Sequence, residues 1–370
     1  MSLNIHAVSK VSALFLTPLL SFAQSPVFAD PVVNIMDFSA VCDGANDDTS
    51  AIQAAAATVP DAGGTLLFPV GVCSVSDTTR LKSNTHVLGQ GATIRNLPPK
   101  NWRHGVEGAF KIDAATNVTI EGMRFAWQHG VYNGGAAHII EATNSRNVVI
   151  RDNVSDGGGD FAAAIGSADV LMEGNRVTEV DNACYDSWGG SHRIRVIDNT
   201  CVTTAREHPG VGAVQFTGIN TDGTPAANSG FYASGNTVTI NTPKGQAFEI
   251  NGSPKGGTDK DITITHNRII IGAQAWGVLV TYASHGKIIH NTIESIVPNI
   301  FGALFVADTS ADWEISDNEA SHIPAGPNPV FTNNGVGGAI VGNRAFKSPA
   351  ARLLGQVGVN VMVSGNILVR

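Results

Sequence analysis

The chain has 370 residues, a formal net charge of −8 from 23 basic and 31 acidic residues, and a hydrophobic content of 43%. This composition is enough for an extended core, and its acidity argues against non-specific binding to nucleic acid. The sequence has no Cys-x-x-Cys or HExxH motif, so nothing in it indicates a zinc site.

Residues 1–29 have the features of a secretory signal. They contain one Lys and no acidic residue, and the apolar run from Val11 to Ala23 is too short to span a bilayer. Val27 and Ala29 supply the small residues of a cleavage site. We therefore predict a cleaved signal at 1–29, a secreted or periplasmic protein without a membrane span, and one domain over 30–370.

The four cysteines remain after this cleavage. An oxidising compartment permits two disulfides, and the most local of the three possible pairings joins Cys42 to Cys73 and Cys184 to Cys201.

Residues 30–75 predict an N-terminal cap with the first strands. Asp47, Asp48 and Ser50 place side-chain acceptors at the start of a helix over 49–57, and Ser50-x-x-Gln53 matches a capping box. Alanines favour this helix, and Pro60 ends it. We expect the helix to cover the first coil of the repeat that follows.

The same segment resembles the start of the pectate-lyase-like superfamily. The resemblance rests on D-G-x-x-D-D-T-x-A-I-Q, a Gly-Gly turn and a strand ending in F-P-x-G, which here are Asp43, Gly44, Asp47, Asp48, Thr49, Ala51, Ile52, Gln53, Gly63, Gly64, Phe68, Pro69 and Gly71. It implies a parallel β-helix, and a superfamily of polysaccharide lyases, glycoside hydrolases, uronate epimerases and tailspike proteins. The reaction is not implied by the fold.

A short apolar strand that meets a turn and resumes as a second apolar strand recurs ten times over residues 76–370. From the second copy onward the turns carry asparagines 22 to 37 residues apart, at Asn153, Asn175, Asn199, Asn236, Asn267, Asn291, Asn318, Asn343 and Asn366. This period predicts an all-β fold, a right-handed parallel β-helix of about ten coils. Asparagines in coils about 4.8 Å apart can bond to each other, and Asn tolerates a left-handed bend.

A further strand in each coil carries the candidate site. In CYDSWGG, Asp186 and Trp188 should point outward, because burying both would be costly. Alignment on the turn asparagines places Ala162 and Ala164 beside them, which predicts a shallow trough for a sugar ring. Glu249 should also face outward, two coils and about 9–10 Å away, near the ~6.5–9.5 Å of an inverting glycosidase. The alternative is two ordinary solvated acids.

The loops entering this face are polar in consecutive coils. Four of their carboxylates could hold Ca²⁺, namely Asp156, Asp160, Asp181 and Glu207. Three basic side chains could abstract a proton α to a uronate carboxyl group or bind that group, namely Arg206, His208 and Lys244. Ordinary solvated turns, with Arg206 paired to an acid, are the alternative.

A second aromatic region extends from Trp102 to His138. Trp127 and Tyr132 are candidates to bind substrate at the wall of the groove. Equally, the region could cover the first coils, with His138 as a hydrogen-bonded histidine.

These patterns favour a carbohydrate-active enzyme that cleaves a uronate-containing polysaccharide by β-elimination, with the catalytic candidates Asp186, Arg206, His208 and Glu249. An inverting glycoside hydrolase on the same face is one alternative. A non-catalytic, glycan-binding or surface-structural β-helix is the other.

The C-terminal coil carries a last expectation. No amphipathic helix follows Asn366, and an uncovered coil exposes strand edges. Either Ser348–Val357 folds over this end or a second subunit does, giving a homo-oligomer through the C-terminal coil.

Overall fold

The computed structural model describes residues 31–97, 108–127, 138–204, 211–220, 223–255, 257–297, 301–323, 329–348 and 352–369. Within them the chain forms a right-handed parallel β-helix with three parallel sheets of 13, 13 and 11 strands, numbered sheets 1, 2 and 3. The predicted signal at 1–29 lies outside the described residues. No helix among the described residues is long and apolar enough to cross a membrane.

The strands of each sheet pair with the equivalent strands of the coils before and after. Sheet 1 comprises Val32–Asn34, Gly64–Phe68, Thr85–Gly89, Thr116–Glu121, Arg146–Arg151, Ala168–Glu173, His192–Ile197, Ser229–Ser234, Asp259–Thr265, Ala283–Ile289, Ala311–Ser316, Val336–Val341 and Met362–Ser364. Sheet 2 comprises Asp43–Asp47, Val72–Val75, Thr93–Asn96, Arg124–Ala126, Val154–Asp156, Arg176–Val180, Thr200–Thr203, Thr237–Ile240, Arg268–Ile271, Thr292–Ser295, Glu319–Ser321, Arg344–Phe346 and Ile367–Val369. Sheet 3 comprises Thr79–Leu81, Phe110–Asp113, His138–Thr143, Asp160–Ile165, Tyr185–Trp188, Gly212–Thr217, Gln246–Asn251, Trp276–Thr281, Leu304–Val306, Phe331–Asn333 and Leu354–Val357.

The stack has more coils than the ten expected. Sheet 1 begins with Val32–Asn34, Gly64–Phe68 and Thr85–Gly89, all ahead of the first sequence repeat. These early coils turn without the asparagine that marks the later ones, so the repeat pattern could not reveal them.

The predicted capping helix, α1, is Thr49–Thr58. It buries Ile52, Ala55 and Ala56, as expected of a helix that covers a coil. The capping box was wrong, because the Gln53 amide donates to the Thr78 carbonyl at 3.0 Å. The N-cap residue Asp48 does not cap the helix, but Asp47 does act as an acceptor there, because its Oδ1 accepts the N–H of Thr49 at 3.0 Å.

Asp48 precedes α1, and its carboxylate is used elsewhere. It accepts hydrogen bonds from the backbone N–H groups of Val41, Cys42 and Ser74. This aspartate therefore ties the first strands of sheet 2 together.

The turn asparagines form the predicted ladder. In each rung the backbone N–H and the side-chain amide both donate to the Oδ1 of the next asparagine. The backbone nitrogen and the Nδ2 of Asn267, for example, each lie 3.0 Å from the Oδ1 of Asn291. The rungs run without a break from Asn153 to Asn366.

The left-handed backbone lies one residue earlier than expected. The residue before each ladder asparagine has positive φ, for example +54° at His266 and +56° at His290, while the asparagines do not. The asparagine side chain thus bonds the next coil, and the bend itself falls on Gly, Asp or His.

The core lies inside the three sheets, and both predicted disulfides are present. Cys42 pairs with Cys73 and Cys184 with Cys201. At Gly286 an added Cβ would meet the ring of buried Trp313, so only glycine leaves room for that indole.

The last described coil does not fold back on itself. Leu354–Val357 pairs with Phe331–Asn333 as one more strand of sheet 3, so the idea that Ser348–Val357 folds over the end was wrong. The homo-oligomer remains a prediction.

Candidate active site on the outer face of sheet 3

Sheet 3 aligns a column of outward side chains along the helix axis. Strand pairing places Arg80, Lys111, Glu141, Ala163 and Asp186 in successive coils. Beyond Asp186 the column continues through Gln215 to Glu249. Asp186 and Glu249 are therefore two coils apart, about 9–10 Å along the axis.

Asp186 and Trp188 are both partly exposed, while Tyr185 and Ser187, which alternate with them, are buried. Their outward direction thus follows the expected alternation. Their neighbours in the preceding coil differ from the expected ones, because Asp186 pairs with Ala163 and Trp188 pairs with Ile165.

The expectation that Ala162 and Ala164 flank this site was wrong, and both lie in the core. The cause is the turn after Trp188. Ile165 pairs with Trp188 but Ala168 pairs with His192, so the later turn holds one extra residue. Gly189 and Gly190, both with positive φ, accommodate it.

A buried ion cluster lies beside Asp186. Both ring nitrogens of His138 face carboxylates: Nδ1 is 3.0 Å from Glu141 Oε2, and Nε2 is 3.2 Å from Asp160 Oδ2. Lys111 lies 3.0 Å from the other oxygen of Glu141. Asp160 Oδ1 accepts from the Asn182 amide and the Ala183 N–H, both at 2.7 Å.

This cluster holds His138 as a cation. Burial opposes the charged ring, but the hydrogen bonds to Asp160 and Glu141 outweigh it and raise the pKa of His138 to about 10. Burial likewise opposes the Glu141 carboxylate, yet His138 and then Lys111 lower its pKa to about 2. His138 is thus an imidazolium fixed between the carboxylates of Glu141 and Asp160.

Asp186 is the exception within this arrangement. Its Oδ1 is buried and has no hydrogen-bond partner among the described residues. Burial, followed by the charge of Asp160, raises the pKa of the Asp186 carboxyl to about 7. The group can therefore hold a proton near neutral pH.

His138, Asp160 and Asp186 also bring three potential metal-ligand atoms within 4.8 Å of one another. Both ring nitrogens of His138 already bind carboxylates, Nδ1 that of Glu141 and Nε2 that of Asp160. The geometry therefore suits proton chemistry.

Glu249 is packed against a glycine. The Gly212 N–H donates to its Oε2 at 3.1 Å, and a Cβ at Gly212 would lie 2.5 Å from the Glu249 Cβ. Burial raises the pKa of Glu249, and the hydrogen bonds from Gly212 and Asn251 lower it by a smaller amount.

The predicted substrate-binding residues have different fates. Trp127 is only 3% exposed and lies in the core, so it cannot offer a sugar an open ring face, and that assignment was wrong. Lys244 is exposed in the turn that precedes Gln246–Asn251. Tyr132 lies outside the described residues.

The proposed Ca²⁺ set is not gathered in the described part of the chain. Asp160 belongs to the His138 cluster, and no described group of three ligands contains Asp156 or Asp181. Asp156 is exposed at the end of Val154–Asp156, and Asp181 is buried. Arg206, Glu207 and His208 lie outside the described residues, and Ca²⁺ binding remains a prediction.

Sequence reasoning gave His138 only as a hydrogen-bonded histidine, which the structure confirms, and it missed Glu141 and Lys111. A signal was available for one pair: His138 precedes Asn153, and Asp160 precedes Asn175, by the same 15 residues. This equal offset puts the histidine and the acid in adjacent coils, where the structure pairs them.

Comparison with known sequences links the chain to two groups of proteins. Residues 32–101 match the family described as rhamnogalacturonase A/epimerase, pectate lyase-like. The chain is also 43% identical over 175 residues to the plasmin and fibronectin-binding protein A of Streptococcus pneumoniae, a match that covers 46% of this chain and 22% of that protein. The chain thus spans well under half the length of this relative.

Several solved structures share the fold. The A-module of mannuronan C-5 epimerase AlgE6 from Azotobacter vinelandii matches with a TM-score of 0.63 at 18% identity, over 91% of this chain and 99% of that one. PfbA, a surface adhesin of Streptococcus pneumoniae, gives 0.67 at 16% identity, over 85% of each chain. A family 28 exopolygalacturonase from Yersinia enterocolitica gives 0.59 at 13% identity, over 92% and 78%. The chain therefore shares the parallel β-helix fold of these structures.

Proposed function

We propose that this chain cleaves glycosidic bonds of a polysaccharide by hydrolysis, with Asp186 as the proton donor. The observation that carries the proposal is the outward Asp186 carboxyl, whose Oδ1 is buried without a partner among the described residues. A raised pKa keeps such a group protonated near neutral pH, and this is what a general acid requires.

Glu249 is the second carboxyl group of the proposed mechanism. Asp186 donates its proton to the leaving glycosidic oxygen, while a water attacks the sugar from the other face and gives its proton to Glu249. The two-coil separation of about 9–10 Å leaves room for that water, as in inverting enzymes.

The His138 cluster positions Asp160 beside the proton donor. Two donors fix Asp160 Oδ1, and His138 holds Oδ2. The negative charge of Asp160 raises the pKa of Asp186, and the positive charge of His138 offsets part of this effect. Neither His138 nor Asp160 needs to touch the substrate to do this.

Hydrolysis is favoured over β-elimination by the residues that carry each reaction. The described face supplies two carboxyl groups two coils apart, and the raised pKa of Asp186 suits the proton donor. Elimination was expected from Arg206 and His208, which lie outside the described residues. The substrate proposed is a uronate-containing polysaccharide, and the family match at residues 32–101 supports a carbohydrate.

The test is an activity panel of acidic and neutral polysaccharides with two readouts. Hydrolysis releases reducing ends without the ultraviolet absorbance of an unsaturated sugar, whereas elimination produces both. We expect Asp186→Asn to lower the hydrolytic rate by about 10²–10⁴-fold. Asp308→Asn, which changes an exposed acid in a turn, should leave it unchanged, and full activity in Asp186→Asn would refute the assignment.

Adhesion is a second candidate, favoured by the 43% identity to a plasmin- and fibronectin-binding protein. In this case the chain binds a host protein or glycan without turnover. Saturable binding to immobilised plasmin or fibronectin, with no reducing ends from any polysaccharide, would support adhesion instead of hydrolysis.

A further inference from the structure

A cavity of about 550 Å³ lies where α1 meets the first strands of sheet 3. Gln53 and Ala57 of α1 form one side. Arg80, Lys82 and Lys111 line the other side, and Asp77 is the one acid among the lining residues. The wall of this cavity is therefore predominantly positive.

Two of these cations form ion pairs that are exposed to solvent. Arg80 is 3.6 Å from Asp113, and Lys82 is 3.3 Å from Asp61, whose side chain is 96% exposed. Lys82 also donates to the Ala57 carbonyl of α1 at 3.0 Å. Exposed ion pairs of this kind contribute little, so an anionic ligand could replace either carboxylate. Lys111 differs, because its partner Glu141 is buried.

The cavity and the proposed active site share one face. Arg80 and Lys111 belong to the same outward column as Asp186, four and three coils away. At about 4.8 Å per coil, these separations are roughly 19 and 14 Å along the axis. An extended glycan lying along this column would reach the cations several sugar units from the bond that is cleaved.

We propose that this cavity is a distal subsite that binds an anionic group, carboxylate or sulfate, of a polysaccharide whose reacting bond lies at Asp186. The proposal rests on the proposed function for the position of the cleaved bond. It adds a reason for chain-length dependence, because only an oligosaccharide longer than a disaccharide can occupy both places. It also makes substrate affinity dependent on salt, since the attraction is electrostatic.

The test measures binding in an Asp186→Asn background, so that turnover cannot interfere. The probes are labelled oligogalacturonates, which carry carboxylates, sulfated malto-oligosaccharides, and neutral malto-oligosaccharides, each as a disaccharide and an octasaccharide. We expect at least one anionic octasaccharide to bind more tightly than its disaccharide and than the neutral octasaccharide. The preferred probe identifies the anionic group.

The double change Arg80→Gln and Lys82→Gln should weaken binding of that octasaccharide at least about tenfold and leave binding of the disaccharide unchanged. Lys111 is kept, because Glu141 depends on it. Lys287→Gln is the matched control: this lysine also pairs with a carboxylate, Glu314 at 3.5 Å, but on sheet 1. Thermal unfolding checks that the variants fold.

The subsite is overturned if no anionic octasaccharide binds, if the neutral one binds equally well, or if the double change has no more effect than Lys287→Gln. Failure of the proposed function looks different. If no polysaccharide is hydrolysed but anionic octasaccharides bind with the expected dependence on Arg80 and Lys82, hydrolysis is wrong and the subsite stands.

Discussion

The asparagine ladder and the outer face of sheet 3 both place polar groups where water is scarce, with opposite results. In the ladder each buried amide finds partners in its own coil and in the neighbouring coils, as Asn267 does with Ala233 before it, Thr265 in its own coil and Asn291 after it. On sheet 3, Asp186 keeps a buried oxygen without a partner among the described residues. Burial stabilises a fold when hydrogen bonding is complete, and it raises the pKa of an acid when it is not.

The ion cluster at His138 combines burial with paired charges, and its disruption should cause the largest loss of stability. His138→Gln removes the cation between two buried carboxylates and should lower the free energy of unfolding by about 3–5 kcal/mol. Urea denaturation measures this. His285→Gln is the control, because His285 pairs with Asp312 at 3.5 Å in an exposed position and should cost less than about 1 kcal/mol. Equal losses in both variants would contradict the buried cluster.

The ladder itself can be broken at different depths. Asn267→Leu leaves the buried N–H of Asn236 without its acceptor and should lower the free energy of unfolding by about 1–3 kcal/mol. Asn366→Leu, at the partly exposed last rung, should cost less because water can replace the lost bonds. A larger loss at Asn366 than at Asn267 would count against the ladder as a source of stability.

Trp188 separates binding from stability on sheet 3. Its ring is partly exposed beside Ile165 and Thr217, so Trp188→Ala should weaken glycan binding by about 1–2 kcal/mol through the loss of a stacking platform. Unfolding should change little. Tyr232→Ala removes another exposed aromatic ring, on sheet 1, and should leave glycan binding intact. Loss of binding in both variants would place the glycan elsewhere.

The dependence of stability on pH tests Asp186 when the wild type is compared with Asp186→Asn. Its pKa is about 7 in the folded chain against an ordinary 3.8. The folded protein should therefore lose stability as pH rises from about 4 towards 7, because the unfolded chain releases this proton first. Burial also raises the pKa of Asp259, to about 7, and the pKa of Glu249, so both acids contribute in the same direction. Asp186→Asn should flatten the wild-type slope between pH 4.5 and 6, below the range in which His138 acts, on the order of one proton at most.

Asp308→Asn is the control for this slope, because Asp308 is exposed in a turn. An unchanged slope in Asp186→Asn would show that the Asp186 carboxyl is already ionised in the folded protein.

The architecture could be predicted because each coil repeats the same local solution. The turn asparagines recur in the sequence since every rung needs the same amide, and α1 was visible from its alanines and Pro60. The early coils could not be predicted, because they turn without that asparagine. The positions of Asp186 and Trp188 followed from strand alternation, which depends only on neighbouring residues.

The rest of the site depends on pairing between coils, which local patterns do not fix. One additional residue between Trp188 and His192 moved the neighbours of Asp186 and Trp188 from Ala162 and Ala164 to Ala163 and Ile165. The bond from His138 to Asp160 likewise depends on how two coils are aligned. Turn length therefore decides which side chains meet.

The disulfide between Cys184 and Cys201 adds a condition on how the site matures. Cys184 immediately precedes Tyr185–Trp188, and Cys201 lies in Thr200–Thr203 of sheet 2. The strand that presents Asp186 is thus fastened covalently at its first end. Protein made in a reducing host would carry two thiols at this point, and its specific activity should then follow the oxidation state of this pair more closely than the folded fraction.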